Sequence, residues 1–302
     1  MKKIIVFLLM TASVFTLSAQ VTSTSPGESD GKHVLNMGDV SMTIDANQGG
    51  KILSYKYKDQ EIISQSPRRE AFGSTFWTSP QKEWNWPPVP EYDKNPYTVD
   101  ECSDSHLLMT SQVSERMKYR IRKEFTVDAT NNAILVTYTI INESDETRQV
   151  APWEITRVAN DGGLIFFDAP LDGITPAGLL SFEAKDGAVW YRSDEAPQNR
   201  KINADGKGWL AYCSNGLLMV KQFEDLTPTQ PAPGEAEIQV YVNMRKTYIE
   251  LESQGAYTTL EPGGQLHWTV RWSLMPYNGE CIPSKALVKT VKKVIKGKKV
   301  KR

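Results

Sequence analysis

Apolar and polar residues alternate along most of this chain. Short runs with a two-residue period lie at 41–44, 51–57, 107–113, 119–127, 133–141, 149–158, 164–167, 208–213, 217–222, 237–242, 248–252 and 265–274. Successive side chains of an extended strand point to opposite faces, so each run predicts a strand with one face inside and one outside. Between the runs stand turn sequences such as Asp128-Ala129-Thr130-Asn131-Asn132, Ser214-Asn215-Gly216 and Glu261-Pro262-Gly263-Gly264. Their Gly, Pro, Asn and Asp residues reverse the chain and set neighbouring strands antiparallel. There is hardly a helical pattern and no repeat of propeller or solenoid period. The sequence therefore predicts an all-β protein, built as a two-sheet antiparallel sandwich.

Two runs show their faces plainly. In the last one Leu266, Trp268, Val270, Trp272 and Leu274 alternate with Gln265, His267, Thr269, Arg271 and Ser273, which makes the first set core. In the run before it, Thr247, Ile249 and Leu251 form one face and Tyr248, Glu250 and Glu252 the other; a solvated exterior is the base expectation for Glu250. Two stretches break the alternation. Residues 73–88, GSTFWTSPQKEWNWPP, have no period and carry Trp77, Trp84 and Trp86 beside four other aromatic or Pro residues, so they predict a stiff loop. Such a loop is either a platform for a flat ligand such as a carbohydrate ring or a plug at the end of the core. Residues 284–295 space Leu287, Val288, Val291, Val294 and Ile295 at helical intervals among lysines, which predicts a short amphipathic C-terminal helix.

The ends add a location. Met1-Lys2-Lys3, an apolar run over 4–10 and Leu17-Ser18-Ala19-Gln20 have the form of a secretory signal peptide over 1–20. A Ser/Thr/Gly-rich disordered leader over 21–33, the sandwich over 34–276 and the helix with a basic tail over 277–302 complete the expected organisation. The protein is then exported, periplasmic or extracellular, with no transmembrane segment, since no later run approaches about 18 apolar residues. The helix either packs on the sandwich or, with its tail, contacts an anionic surface. A formal net charge of −1 with both signs interspersed offers no field for nucleic acid. Cys102, Cys213 and Cys281 allow one internal disulfide in three possible pairings. No phosphate loop, His-Glu-x-x-His or Cys-x-x-Cys motif occurs, so neither a cofactor nor a metal is expected. Asp161-Gly162-Gly163 reads as an ordinary turn.

The stretch YIELESQGAYTTLEPGGQL, 248–266, resembles the closing segment of the galactose mutarotase-like (aldose 1-epimerase) superfamily. Leu251-Glu252 matches its strand-ending Leu-Glu pair and Leu260-Glu261-Pro262-Gly263 its turn into the last strand. The Trp-rich stretch resembles the Gly-x-Pro-x-x-Trp-Pro loop of the hexose-phosphate epimerase branch, enlarged. Ala151-Pro152-Trp153-Glu154-Ile155-Thr156 falls where the central cleft strand lies. The resemblance covers roughly 34–275 by order of elements and looks most like a secreted bacterial branch. It implies a supersandwich with a sugar cleft on a concave face, and a carbohydrate as partner.

It also implies a chemistry, in which a Glu takes the anomeric hydroxyl proton and a His protonates the ring oxygen. Glu252 matches the Glu. No His stands in the 151–156 strand, where Trp153 and Glu154 are found instead, so the expected catalytic pair is Glu252 with Glu154 as acid, its pKa raised by aromatic surroundings. The same two carboxylates could equally hold sugar hydroxyls without catalysis. Trp77, Trp84, Trp86, Trp153, Gln254 and Arg157 form the expected substrate-binding set. The basic residue ahead of the Gly loop in the phosphate-epimerase branch is displaced here to Arg68-Arg69, which weakens a sugar-phosphate substrate. Three functions are open: a sugar-binding protein that lost the acid, an active aldose 1-epimerase-type isomerase, and a structural or surface-interaction sandwich.

Overall fold

The structure is a computed structural model and describes residues 31–66 and 71–296. The expected signal peptide, most of the expected leader, Arg68-Arg69 and the end of the C-terminal tail lie outside the described residues. Residues 32–33, expected in the leader, belong to a strand that begins at Lys32. Two antiparallel ten-stranded sheets face each other. At the centre of the first, Ser74–Ser79, Arg148–Ala159, Tyr248–Gln254 and Ile238–Val242 lie side by side in that order. Lys51–Tyr57, Val40–Asp45 and Lys32–Met37 continue it on one side, and Arg200–Ala204 closes the other. The second runs from Glu183–Lys185 through Ala188–Arg192, Leu164–Phe167, Trp209–Ser214, Leu217–Gln222, Gln265–Pro276, Ala133–Asn142, Tyr119–Asp128 and His106–Thr110 to Thr98–Cys102. This is the expected all-β sandwich.

The alternation decides what lies between the sheets. Trp268, Val270, Trp272 and Leu274 are buried as the pattern predicts. Trp272 meets Tyr55 of the opposite sheet edge-on at 5.3 Å, and Tyr138 stacks on Phe76 across the same gap at 4.4 Å. Residues 73–88 are corrected in part: 74–79 form a central strand, fully buried, and the loop begins only at Pro80. The alternation of this strand is masked because both its faces are covered. Phe76 enters the core while Trp77 lies on the other face under other rings.

The C-terminal helix, Lys285–Ile295, begins at Ser284, whose hydroxyl accepts from the Leu287 amide as an N-cap does. Its apolar stripe buries Leu287, Val288 and Val291, each worth about 1.5–3 kcal/mol on full burial. The helix therefore packs on the sandwich, touching the strand Leu217–Gln222. Just before it, Cys281 is disulfide-bonded to Cys213, and Cys102 is free and exposed. By the chain-entropy model, closing a loop with a sequence separation of 68 is worth about 4 kcal/mol. No helix among the described residues is long and apolar enough to cross a membrane.

Candidate functional site

The outer face of the first sheet is where polar chemistry collects. Cross-strand register puts Trp153 opposite Gln254, Ile155 opposite Glu252 and Arg157 opposite Glu250. On the next strand Gln239 is opposite Glu252 and Tyr241 opposite Glu250, and beyond it Asn203 and Lys201 continue the same rows. Directly opposed residues share a face. The period of two has thus brought residues distant in sequence onto one surface.

Glu252 is the centre of that surface, 1% exposed. Its Oε2 accepts from the Trp153 indole N–H at 2.9 Å and from the Lys201 ammonium at 2.9 Å. Lys201 also sits 4.6 Å from the Trp153 ring centroid, in cation–π range. Oε1 accepts no hydrogen bond among the described residues. Burial pushes the carboxyl from its ordinary 4.5 up to about 7, against the pull of Lys201 and with a further push from Glu250. A buried carboxylate poised near neutrality with one oxygen uncommitted can accept a hydroxyl proton or hold a hydroxyl. Beside it, Glu250 is not solvated as expected: Arg157 donates Nε–H to its Oε1 at 2.9 Å, and both are buried. Gln254 donates to Gln239 Oε1 at 2.9 Å and to Glu235 Oε2 at 3.2 Å. Gln239 in turn donates to Asn203 and Glu235.

The four expected tryptophans form one cluster on this face. Trp77 lies 5.6 Å from Trp84, 6.1 Å from Trp86 and 5.3 Å from Trp153 between ring centroids, all edge-on. They are not equivalent. Trp84 donates its N–H to the Thr78 carbonyl and is buried, as are Trp77 and Trp153, so three rings are packing and only Trp86, 70% exposed, presents its faces. Trp86 and Trp77 line a pocket of 150 Å³ with Lys51, Pro87, Pro88, Asp93, Lys94 and Arg157. Asp93 closes the loop onto the sheet by accepting at Oδ1 from Thr75 and the Trp77 indole, each at 2.8 Å.

One expected site residue is elsewhere. Glu154 does not face Glu252's surface: its neighbours Trp153 and Ile155 do, and alternation turns Glu154 to the interior. There it is fully buried, in an ion pair with Lys221 at 2.5 Å, and its Oε2 accepts from the Tyr138 hydroxyl at 2.6 Å and the Trp272 indole at 3.2 Å. Lys201, Gln239, Glu235, Lys51 and Asp93 were missed. Gln239 could have been found from the alternation of its own run; Lys51 opens a predicted run, and the others come from a loop, a short helix over Pro90–Asp93 or a strand absent from the predicted set.

No family model and no curated protein matches the sequence. Solved structures do match. A galactose mutarotase-like protein from Lactobacillus casei superposes with a TM-score of 0.58 at 14% identity, over 81% of this chain and 100% of its own. The chain has the galactose mutarotase-like fold. An aldose 1-epimerase candidate from Escherichia coli K12 gives a TM-score of 0.61 at 12% identity, over 81% and 99%. A galactose mutarotase-like protein from Clostridium acetobutylicum gives 0.55 at 10%, over 81% and 95%. At these identities the likeness is one of fold. Within this mutarotase-like fold the histidines stand away from Glu252. His106 and His267 belong to the other sheet, bonded to Glu124 and Thr139, and His33 lies on the far edge strand. Among the described residues no group of three or more His, Cys, Asp or Glu side chains could hold a metal ion.

Proposed function

We propose that this is an exported carbohydrate-binding protein that recognises a sugar on the outer face of its first sheet. What carries the reading is Glu252: a buried carboxylate with one uncommitted oxygen, held by Lys201 and the buried Trp153 indole, next along the sheet from the Arg157–Glu250 pair, on the face whose tryptophan cluster ends in the exposed Trp86. Carbohydrates ask for this combination, since a sugar has a C–H face for an aromatic ring and hydroxyls that pair with charged planar groups. Most sugar-facing groups here are fixed by one another, which lowers the ordering cost of binding. The Cys213–Cys281 disulfide supports export, because such bonds persist in oxidising compartments.

A second reading has its own observation. A carboxyl raised to about 7 is matched to general-base work at neutral pH, and Lys201 at 2.9 Å is a proton donor already in contact. Glu252 and Lys201 would then interconvert anomers without a histidine. Titrating a sugar panel by calorimetry, with anomer exchange followed by NMR on the same samples, tests both. Binding that weakens in Trp86→Ala and Glu252→Gln without accelerated exchange supports the binding protein. Exchange lost in Glu252→Gln supports the isomerase. If no sugar binds and none is interconverted, the fold serves a structural role and both readings fail.

A further inference from the structure

We infer that the ligand is a neutral oligosaccharide and not a free sugar, and that a second pocket, lined by Glu83, Arg116, Arg148, Gln149 and Tyr257, receives its far units. This rests on the sugar-binding reading above and sets the length of its ligand. The pocket has a volume of 550 Å³, within the roughly 300–1,000 Å³ of cavities that enclose a small molecule. It lies where the strand Arg148–Ala159 begins, and separate stretches of chain converge on it: the Trp-rich loop at Glu83, the turn at Arg116, the strand start and the link at Tyr257. Its charges are already matched. Arg148 donates to the Met117 carbonyl at 2.9 Å and pairs with Glu146 at 3.4 Å, and Arg116 stands with Glu83, whose backbone carbonyl accepts from its Nη2 at 3.5 Å. Two guanidinium groups thus meet two carboxylates, and nothing is left over for an ionic ligand to neutralise. What stays open is hydrogen bonding. The Glu83 carboxylate accepts no hydrogen bond among the described residues, the Tyr257 hydroxyl makes none, and the remaining Arg116 donors are uncommitted. Gln149 gives Nε2–H to Thr259 at 3.1 Å and keeps its carbonyl oxygen. A sugar hydroxyl donates and accepts at once, so it uses both halves of such a set, where a simple anion or cation uses one. The half-buried Tyr257 ring adds an aromatic face for the C–H side of a pyranose.

Position ties this pocket to Glu252. Along one strand Gln149, Trp153, Ile155 and Arg157 share the outer face by alternation. Trp153 holds Glu252 and Ile155 is opposite it, so the pocket at Gln149 lies roughly 20 Å from the carboxylate at the rise of an extended strand. One hexose does not reach that far; a short chain of them does. On the other side of Glu252, Arg157 lines the smaller pocket of 150 Å³ with Trp86. Glu252 therefore stands between two pockets on one row, and the same loop serves both, Glu83 in one and Trp86 in the other. That loop is fixed before any ligand arrives. Trp84 is buried and gives its N–H to the Thr78 carbonyl, and the Gln81 amide donates to Glu235, whose other carboxylate oxygen accepts from Gln254. A platform already held to the sheet lowers the ordering cost of laying a long ligand across it.

The test is calorimetry with galactose, galactobiose and galactotetraose, and with glucose, cellobiose and cellotetraose, on the intact protein and on Arg116→Gln, Glu83→Gln and Tyr257→Ala. Arg116 and Glu83 are exposed, so their variants are expected to fold, which the melting temperature checks. In the series that binds, the tetrasaccharide should bind at least about tenfold more tightly than the monosaccharide, since each net hydrogen bond in the second pocket is worth about two- to tenfold. Each substitution should remove about two- to tenfold of that gain and leave the monosaccharide affinity unchanged, because none of the three residues touches Glu252 or its partners. Equal affinity for monosaccharide and tetrasaccharide, or a gain with length that all three substitutions leave intact, overturns the second pocket and leaves the sugar-binding reading standing. Failure of every member of both series to bind overturns both.

Discussion

Glu154 and Glu252 stand one register step apart on neighbouring strands of the same sheet, both buried, and they face opposite ways. Glu154 points between the sheets, where Lys221, Tyr138 and Trp272 surround it. Glu252 points outward, where one oxygen is held by Trp153 and Lys201 and the other accepts nothing among the described residues. Burial alone therefore does not mark a functional carboxylate. The difference lies in whether the partners come from between the sheets or from the outer face of one sheet. The interior pair has the form of a polar lock, in which burial pulls Lys221 below its ordinary value and Glu154 opposes that shift. The outer one has the form of a site kept partly unsatisfied.

The largest effect should come from the lock. Lys221→Met would strand the Glu154 carboxylate in the core and cost about 3–5 kcal/mol, read as a fall in the urea midpoint. Adding Glu154→Gln should recover part of that loss, because the uncompensated charge is gone. If Lys221→Met unfolds no more easily than the intact protein, the interior pair is not a lock and the contrast with Glu252 collapses.

The tryptophan cluster repeats the comparison within one set of rings. Trp84→Ala removes a fully buried ring and should cost about 3–5 kcal/mol. Trp86→Ala removes an exposed one and should leave the melting temperature nearly unchanged while weakening sugar binding. Equal thermal losses in the two variants would show that Trp86 is packing like its neighbours.

How much of this was legible in the chain divides along the same line. The sandwich, the core face of 265–274 and the helix after Ser284 were readable, because a one-sided environment leaves a period of two or 3.6 in the sequence. The strand 74–79 was not, since Phe76 and Trp77 are both buried on opposite faces and no alternation survives. The place of Glu252 on the outer face was readable from the polar face it shares with Tyr248 and Glu250. Glu154 was misplaced by the same logic left unapplied: a residue between Trp153 and Ile155 must face away from both. Lys201 and Lys51 gave no local signal, because their role depends on which strands become neighbours.

On the outer face Glu252→Gln keeps size and removes the charge. For a binding protein the expected change is about 1–3 kcal/mol in affinity; for an isomerase, a rate loss of about 10²-fold or more with affinity little changed. A variant unchanged in both would remove Glu252 from the site.

The last expected effect is a pH dependence that belongs to Glu252. Burial raises Glu252 from 4.5 to about 7, so between those values the folded chain binds a proton that the unfolded chain has released. Its contribution to stability is full below 4.5 and is lost as the pH rises through 7. Glu237, buried and likewise raised from 4.5 to about 7, titrates in the same window, so the intact protein's profile does not isolate either group. The difference between the intact protein and Glu252→Gln does. Urea unfolding at a series of pH values should show the variant gaining relative stability from about pH 5 to about pH 8 and then levelling off. In Lys201→Met the window should move upward, since the ammonium that lowers the Glu252 pKa is gone. A pH-independent difference would mean that Glu252 stays ionised throughout, and with it would go the proton-accepting role that separates the outer carboxylate from the inner one.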